Sequence, residues 1–233
     1  MKTQRGFTLI ELLVSITLMA MLAGLSWRGI DGLLRTREAT QQRIDQTAVL
    51  QTVLAQWQAD LDAMQPVPGL SDAGVLWDGQ VLRITRRSSA WLVNGGDPGL
   101  WVVAWSRRGT PQTGTGQWVR WQSPAITERS ALAQAWQQAA RWAQNPSTDD
   151  QRRETVLLPL DQWQLSYFRG NAWTNPLSSA ASGDTPSATP TPGTAANNTP
   201  DAIRLLIDLP TSAGMRGRLT LDWVRPNFSN TKS

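Results

Sequence analysis

Residues 1–25 read MKTQRGFTLIELLVSITLMAMLAGL and carry more structural information than any other part of the chain. They begin with two basic residues, Lys2 and Arg5. The next 19 residues, from Phe7 to Leu25, are apolar with five exceptions: Thr8, Glu11, Ser15, Thr17 and Gly24. A helix of that length would span roughly 28 Å at about 1.5 Å per residue, close to the thickness of the hydrocarbon core of a bilayer. Residues 7–25 therefore predict a transmembrane N-terminal helix.

Glu11 places a carboxylate inside this apolar segment, where an acid costs about 2.5–3.5 kcal/mol and needs a partner. Three interpretations compete: a secretory signal removed after the apolar run, an uncleaved membrane anchor, and a signal that is cut ahead of the run. The small-residue cleavage pattern of a secretory signal is missing around residues 21–24. Cleavage after Gly6 would supply the partner, because the new α-amine of Phe7 would lie one helical turn from Glu11 of the same or a neighbouring subunit.

The hexapeptide GFTLIE at residues 6–11 resembles the processing site of type IV pilins and type II secretion pseudopilins. The resemblance implies that a prepilin peptidase removes a leader, residues 1–6, by cutting after Gly6, and that the new N-terminal Phe7 is methylated. It also implies that Glu11 helps the subunit to dock into a growing filament. Membrane insertion of this family implies a single-pass protein of the bacterial inner membrane, with its N-terminus cytoplasmic and its C-terminal head periplasmic, that can be extracted into the filament.

Charge alone does not favour that orientation. Two basic residues precede the apolar run, whereas four arginines follow it closely: Arg28, Arg35, Arg37 and Arg43. The positive-inside rule counts such residues near the ends of a transmembrane segment. The predicted orientation therefore rests on the family resemblance.

Helical periodicity continues beyond the membrane segment and predicts a periplasmic amphipathic helix over residues 26–64. Its apolar stripe consists of Ile30, Leu33, Leu34, Ile44, Leu50, Val53, Leu54, Trp57, Leu61 and Met64. Gln56 and Asp60 fall between these residues and are expected on the polar face. Pro66 and Pro68 should end a single helix that begins at about Thr8.

Residues 65–233 predict a β-rich head, because the apolar period changes from about 3.6 to two. The expected strands are 75–77, 80–86, 100–106, 117–122, 163–167, 203–209 and 219–223, with a tight turn at Asp78-Gly79. Residues 128–144 have helical periodicity and predict a helical insertion. Residues 175–200 are rich in Pro, Thr and Ser and predict a surface loop. The fold class is therefore α+β and pilin-like, with a long N-terminal helix packed on an antiparallel β-sheet head.

The residue inventory argues against an enzyme. The chain contains no cysteine and no histidine, which excludes disulfides, thiolate zinc sites and the usual catalytic triads. No Asp-rich loop has the ligand spacing of a calcium site, and the acidic pairs at 60/62 and 149/150 do not form a general acid–base pair. We expect no catalytic residue, cofactor or metal. Arginine and 13 tryptophans are abundant, which is typical of recognition surfaces or of a Trp-filled core.

A second resemblance concerns residues 26–38, SWRGIDGLLRTRE, which are similar to the juxtamembrane segment of J-type minor pseudopilins of type II secretion systems. Residues 204–210 and 217–226 resemble the terminal strand pair of that family more loosely. The resemblance implies a tip complex with I-type and K-type minor pseudopilins that initiates the filament of the major pseudopilin for export of folded proteins across the outer membrane. The partner-helix face would then be Ile30, Leu33, Leu34, Ile44 and Leu50.

Two alternatives share the same N-terminus. A minor pilin of a type IV pilus would also prime a filament. A DNA-uptake pilin would use exposed arginine and tryptophan to contact nucleic acid, and the only candidate cluster is Arg107, Arg108, Arg120 and Trp121. An ordinary solvated face is the favoured explanation of this cluster, so we expect no nucleic-acid partner.

Overall fold

A computed structural model of the chain describes residues 8–87, 99–109, 116–178, 199–210 and 217–226. The helices within these ranges are α1 (Leu9–Asp62), α2 (Arg129–Gln144) and α3 (Thr148–Arg152). The strands are β1 (Val75–Trp77), β2 (Val81–Arg87), β3 (Leu100–Gly109), β4 (Gly116–Gln122), β5 (Glu154–Pro159), β6 (Gln162–Arg169), β7 (Ala172–Thr174), β8 (Ala202–Leu209) and β9 (Gly217–Val224). A long N-terminal helix followed by antiparallel strands confirms the predicted α+β, pilin-like arrangement.

The strands form two antiparallel sheets. The first sheet is a five-stranded meander in the order β1-β2-β3-β4-β5, and the second has the order β7-β6-β8-β9. Asp78 and Gly79 form the predicted tight connection between β1 and β2. Gly79 has a φ of +95°, and the Asp78 carboxylate accepts hydrogen bonds from the backbone N–H groups of Gln80 and Val81 at 3.0 and 2.9 Å. The side chain thereby replaces a backbone acceptor in the turn.

Both faces of the first sheet are covered, which explains why six consecutive residues of β2 are buried. One face packs against α2, whose Leu132, Trp136 and Trp142 share a core cluster with Val102 and Trp121 of the sheet. The other face belongs to a larger cluster that includes the last turns of α1 and the inner face of the second sheet. The first sheet is therefore a middle layer.

The prediction that Asp60 lies on the polar face of the helix is wrong, because its side chain is completely buried. Arg120 donates to the Asp60 carboxylate through Nε at 2.7 Å and Nη2 at 2.9 Å, and Arg86 donates through Nη1. The indole of Trp105 and the amide of Gln56 each donate at 2.9 Å. A carboxylate can be buried when it is paired and hydrogen-bonded to this extent. Helical spacing alone cannot show the partners other than Gln56, since Arg86, Trp105 and Arg120 lie on three strands distant in sequence.

Other expectations differ in detail. Helix α1 ends at Asp62 rather than at Met64, and the chain then runs beside β2, where the Gln65 N–H donates to the Thr85 carbonyl at 2.8 Å. Strands β5 and β7 and the short helix α3 were not expected from the sequence pattern. Helix α2 occupies the segment for which a helical insertion is expected. Residues 179–198, most of the predicted Pro/Thr/Ser loop, lie outside the described residues.

Substitution of Asp60 by alanine tests the importance of its buried ion pairs. We expect Asp60→Ala to lower the free energy of unfolding by about 3–5 kcal/mol, because it leaves the guanidinium groups of Arg86 and Arg120 buried without their counter-ion. The measurement is chemical denaturation of the full chain in detergent micelles, followed by tryptophan fluorescence.

Asp161→Ala is the matched control, because Asp161 is exposed and we expect this change to alter stability by no more than about 0.5 kcal/mol. Equal stabilities of the two variants would contradict a structural role of the Asp60 ion pairs.

Candidate functional site: the N-terminal segment

Gly6 and Phe7, the predicted cleavage and methylation positions, lie outside the described residues. The described chain begins at Thr8, immediately before α1. Glu11, the predicted assembly residue, lies in the first turn of that helix. The structure therefore describes the Glu11 carboxylate and its surroundings, whereas its role in assembly and the processing site stay predictions from the sequence.

Thr8 and Glu11 bond to each other reciprocally at the start of α1. The backbone N–H and the hydroxyl of Thr8 both donate to Glu11 Oε2, at 3.0 and 2.8 Å. The backbone N–H of Glu11 approaches Thr8 Oγ1 at 3.4 Å. This arrangement is a capping box, in which two donors that the helix cannot use internally find side-chain acceptors. The carboxylate also lies at the helix end where a negative charge is favoured.

The sequence-based prediction gives Glu11 the α-amine of Phe7 as its partner and assigns no role to Thr8. The sequence does contain the signal for this helix cap, because Thr and Glu separated by two residues ahead of an apolar run form the usual capping-box pattern. Thr8 gives the carboxylate two hydrogen bonds within its own turn. Glu11 is therefore held in a defined position before any other group reaches it.

The apolar part of α1 is long and apolar enough to cross a membrane, with a mean hydropathy of 2.1 in its most apolar window. Its large side chains between Leu9 and Leu25 are exposed. The polar residues within it bond inside the helix: Ser15 donates to the Glu11 carbonyl at 2.7 Å, and Thr17 donates to the Leu13 carbonyl at 2.8 Å. These hydroxyl groups therefore have acceptors in an environment that offers no water.

The predicted partner-helix face divides at Leu50. Ile30, Leu33, Leu34 and Ile44 have exposed side chains, with relative exposures between 52% and 71%. Leu50 is half-buried and packs against the larger core cluster of the head. Whether the four exposed residues contact partner helices stays a prediction, whereas Leu50 contributes to the core of its own subunit.

The candidate nucleic-acid cluster of Arg107, Arg108, Arg120 and Trp121 is largely engaged within the head. Arg120 binds Asp60, Arg108 forms an ion pair with Glu154 at 2.6 Å, and Arg107 donates to a backbone carbonyl at 2.9 Å. Trp121 is completely buried in the cluster beneath α2. The structure thus gives these side chains internal roles and removes the basis for a DNA-binding patch.

Within the part of the chain that the structure describes, no three His, Cys, Asp or Glu side chains lie close enough together to hold a metal ion. The acidic residues that are buried instead bond to arginine, tryptophan or hydroxyl groups of the head, as Asp60 and Asp150 do.

Comparison with known families supports the interpretation of the N-terminus. Residues 1–27 match the family described as the prokaryotic N-terminal methylation motif. No curated protein gives a significant match to the chain. The motif, the apolar helix behind it and the α+β head define a pilin-like protein. The motif implies a substrate of prepilin peptidase that assembles with other pilin-type subunits, and among the described residues α1 is long and apolar enough for a single membrane span.

The processing site can be tested by substituting its glycine. We expect Gly6→Val to block cleavage, because the side chain would occupy the position at which the peptidase must approach the scissile bond. Intact-mass spectrometry of the purified chain should then show retention of residues 1–6 and an unmethylated Phe7.

Gly24→Val is the matched control. A Cβ atom at Gly24 would meet nothing within 4 Å, so this variant should be cleaved and methylated like the parent chain. Normal cleavage of Gly6→Val, or a mature start other than Phe7, would contradict the assignment.

Proposed function

We propose that the chain is a minor pseudopilin of a type II secretion system, of the J-type, that acts in the tip complex of the pseudopilus. The observation that carries the proposal is the order of two sequence features. A prepilin-type N-terminus is followed directly by the Trp27–Arg37 segment, which is similar to the juxtamembrane segment of J-type subunits. Together with I-type and K-type minor pseudopilins, the protein would initiate assembly of the major pseudopilin for export of folded proteins.

The role is structural rather than enzymatic. The residue inventory lacks cysteine and histidine, and the buried carboxylate of Asp60 is saturated by donors from the head. We place the leader in the cytoplasm, the apolar part of α1 in the inner membrane and the head in the periplasm. From there the mature subunit would be extracted into the filament.

Exposed apolar residues on α1 support helix-to-helix packing in this assembly. In an isolated subunit, water would contact the apolar side chains of four residues: Ile30, Leu33, Leu34 and Ile44. Burial of such side chains against neighbouring helices is favourable by roughly 25 cal/mol per Å². The face ends near Leu50, from which point the helix contributes to the core of its own head.

Electrostatics support a docking role for Glu11. In the subunit its carboxylate accepts two hydrogen bonds from Thr8, neither of which carries a positive charge. A methylated amine at Phe7 of a neighbouring subunit would add a full charge in a medium of low dielectric constant, where the attraction between opposite charges is strong. The helix cap therefore prepares the carboxylate, and the charge pair would select the docked position.

Deletion of the gene in the source bacterium tests the choice of machine. We expect secreted proteins to accumulate in the periplasm of the deletion strain while type IV pili, counted by electron microscopy, stay at the parental level. Complementation with the unaltered chain should restore secretion.

Loss of pili with intact secretion would contradict the proposal and support the alternative, a minor pilin of a type IV pilus. Loss of neither would contradict both roles in filament initiation.

Two substitutions at Glu11 separate its charge from its helix cap. Glu11→Ala removes both, whereas Glu11→Gln keeps an oxygen acceptor for Thr8 and removes the charge. We expect both variants to be cleaved but to reduce filament initiation about tenfold or more, which corresponds to roughly 1.4 kcal/mol of lost docking energy. Quantification of secreted protein and of assembled major pseudopilin provides the measurement.

Glu38→Ala is the control, because Glu38 is an exposed glutamate of the same helix. It should initiate filaments normally. Normal initiation by Glu11→Gln together with failure of Glu11→Ala would show that the cap, not the charge, is required. That result would contradict the docking role proposed for the charge.

A further inference from the structure

Strand β9 forms an unusually open edge of the second sheet. It has eight residues, and within the part of the chain that the structure describes its only strand neighbour is β8. The other edge strands of the described sheets differ: β1 and β7 have three residues each, and β5 ends at Pro159 and pairs with β4 through an irregular register. Short strands, proline and bulges are devices that prevent edge-to-edge pairing. β9 has none of these three, but it carries the charged side chains of Arg218 and Asp222, which oppose pairing unless the partner strand has complementary charges.

The alternation of hydrogen bonds between β8 and β9 shows which backbone groups of β9 face this open edge. The Arg225 N–H donates to the Asp201 carbonyl at 2.9 Å, in register with the β8–β9 ladder. Because hydrogen-bonded pairs alternate in an antiparallel ladder, the odd-numbered residues of β9 bond to β8. The N–H and C=O groups of Arg218, Thr220 and Asp222 therefore point away from the sheet. Among the described residues, no group bonds to them.

The side chains of β9 also alternate. Trp223 is buried in the larger core cluster, Leu221 packs against that cluster, and Leu219 is 36% exposed on the same face. Arg218 and Asp222 lie on the opposite face, with side chains 62% and 40% exposed. Arg218 and Asp222 thus combine outward-facing backbone groups with partly accessible side chains.

We propose that β9 is a pairing edge for a second copy of this chain, with the two strands antiparallel and related by a two-fold axis at Thr220. In this register Arg218 lies opposite the second copy's Asp222, and the reciprocal pair repeats the contact. Leu219 lies opposite the second copy's Leu221, and the two Thr220 residues face each other. Three opposed pairs with outward backbone groups would exchange about six hydrogen bonds.

Charge complementarity selects this register over its neighbours. A shift of one residue would place the apolar face of one strand beside the polar face of the other. A two-fold axis at Leu219 or Leu221 would place Arg218 or Asp222 opposite the uncharged Thr220, and an axis at Arg218 or Asp222 would place like charges opposite each other, which is destabilising. Only the axis at Thr220 brings both pairs of opposite charges together and matches the leucines.

Both charges are present at neutral pH. The hydrogen bonds from Arg204 lower the pKa of Asp222, and the hydrogen bonds that Arg218 donates to Asp208 raise the pKa of Arg218. Arg204 binds Asp222 at 2.7 Å, and Arg218 binds Asp208 at 2.9 Å, so each side chain of the proposed pairs is already oriented along the outer face. These two ion pairs join β8 to β9, and β9 of the second copy would add a further strand of matching charges beside them.

The inference does not depend on the proposed role in secretion. It concerns the head alone and assigns β9 an identical strand as its partner. Pairing would cover an edge that could otherwise bind other extended chains. An isologous contact of this kind also closes on itself, so it produces dimers and not fibres.

Disulfide cross-linking tests the register directly, because the chain has no native cysteine. Thr220→Cys keeps both charged residues and places two cysteines opposite each other, at a Cα separation of about 5.5 Å that a disulfide can bridge. We expect mild oxidation of the purified full-length variant in detergent micelles to give about tenfold more covalent dimer than Thr155→Cys, since unaligned cysteines lie beyond the reach of about 7 Å. Thr155 is the matched control, an exposed threonine on the β5 edge.

A mixture of Arg218→Cys and Asp222→Cys adds a second measurement. The two variants should cross-link to each other and not to themselves, because identical positions would be displaced by about 13 Å along the paired strands. Equal cross-linking of Thr220→Cys and Thr155→Cys would overturn the proposal. So would self-linked Arg218→Cys dimers as abundant as the mixed dimers, since association through the membrane helices would have no β9 register.

Discussion

The buried carboxylate of Asp60 is the interaction on which the head depends. Apart from Gln56 of α1 itself, its donors come from three adjacent strands: Arg86 of β2, Trp105 of β3 and Arg120 of β4. A charge with no access to water is tolerated only where its partners are complete, since removal of one partner leaves an uncompensated charge. The last turn of α1 must therefore lie at one position and one rotation on the first sheet. Arginine suits this role because its planar group binds two carboxylate oxygens at once.

Tryptophan side chains extend the same contact into the core. Trp57 lies one turn before Asp60, and its ring meets that of Trp105 edge-on at 5.3 Å and that of Trp118 at 5.5 Å. Arg120 lies over the Trp105 ring at 5.9 Å while it binds the carboxylate. The abundance of Arg and Trp is thus explained in large part by packing between the helix, the first sheet and the second sheet. Recognition of a planar ligand is not needed to account for it.

The elements that could be predicted from the sequence are those whose signals are local. Periods of about 3.6 and two identified α1, α2 and seven of the strands, and a run of six residues identified the processing motif. Strand β5 was missed because exposed Thr155 and Val156 interrupt its alternation at the sheet edge. The environment of Asp60 was predicted wrongly because Arg86, Trp105 and Arg120 follow it by 26, 45 and 60 residues. The periodicity of a helix does not identify contacts with residues so far away in the sequence.

The difference between local and long-range contacts also distinguishes the N-terminal helix cap from the surfaces that would select neighbouring subunits. Glu11 and Thr8 find their bonds within one turn, so their geometry needs no head and can serve any subunit with the same N-terminus. Distinction between subunits must then come from elsewhere. In the described part of the head, Arg108, Arg120 and Arg204 are already bound to carboxylates. Apolar helix faces and free strand edges, which do not compete with those ion pairs, are therefore the surfaces best suited to select neighbours.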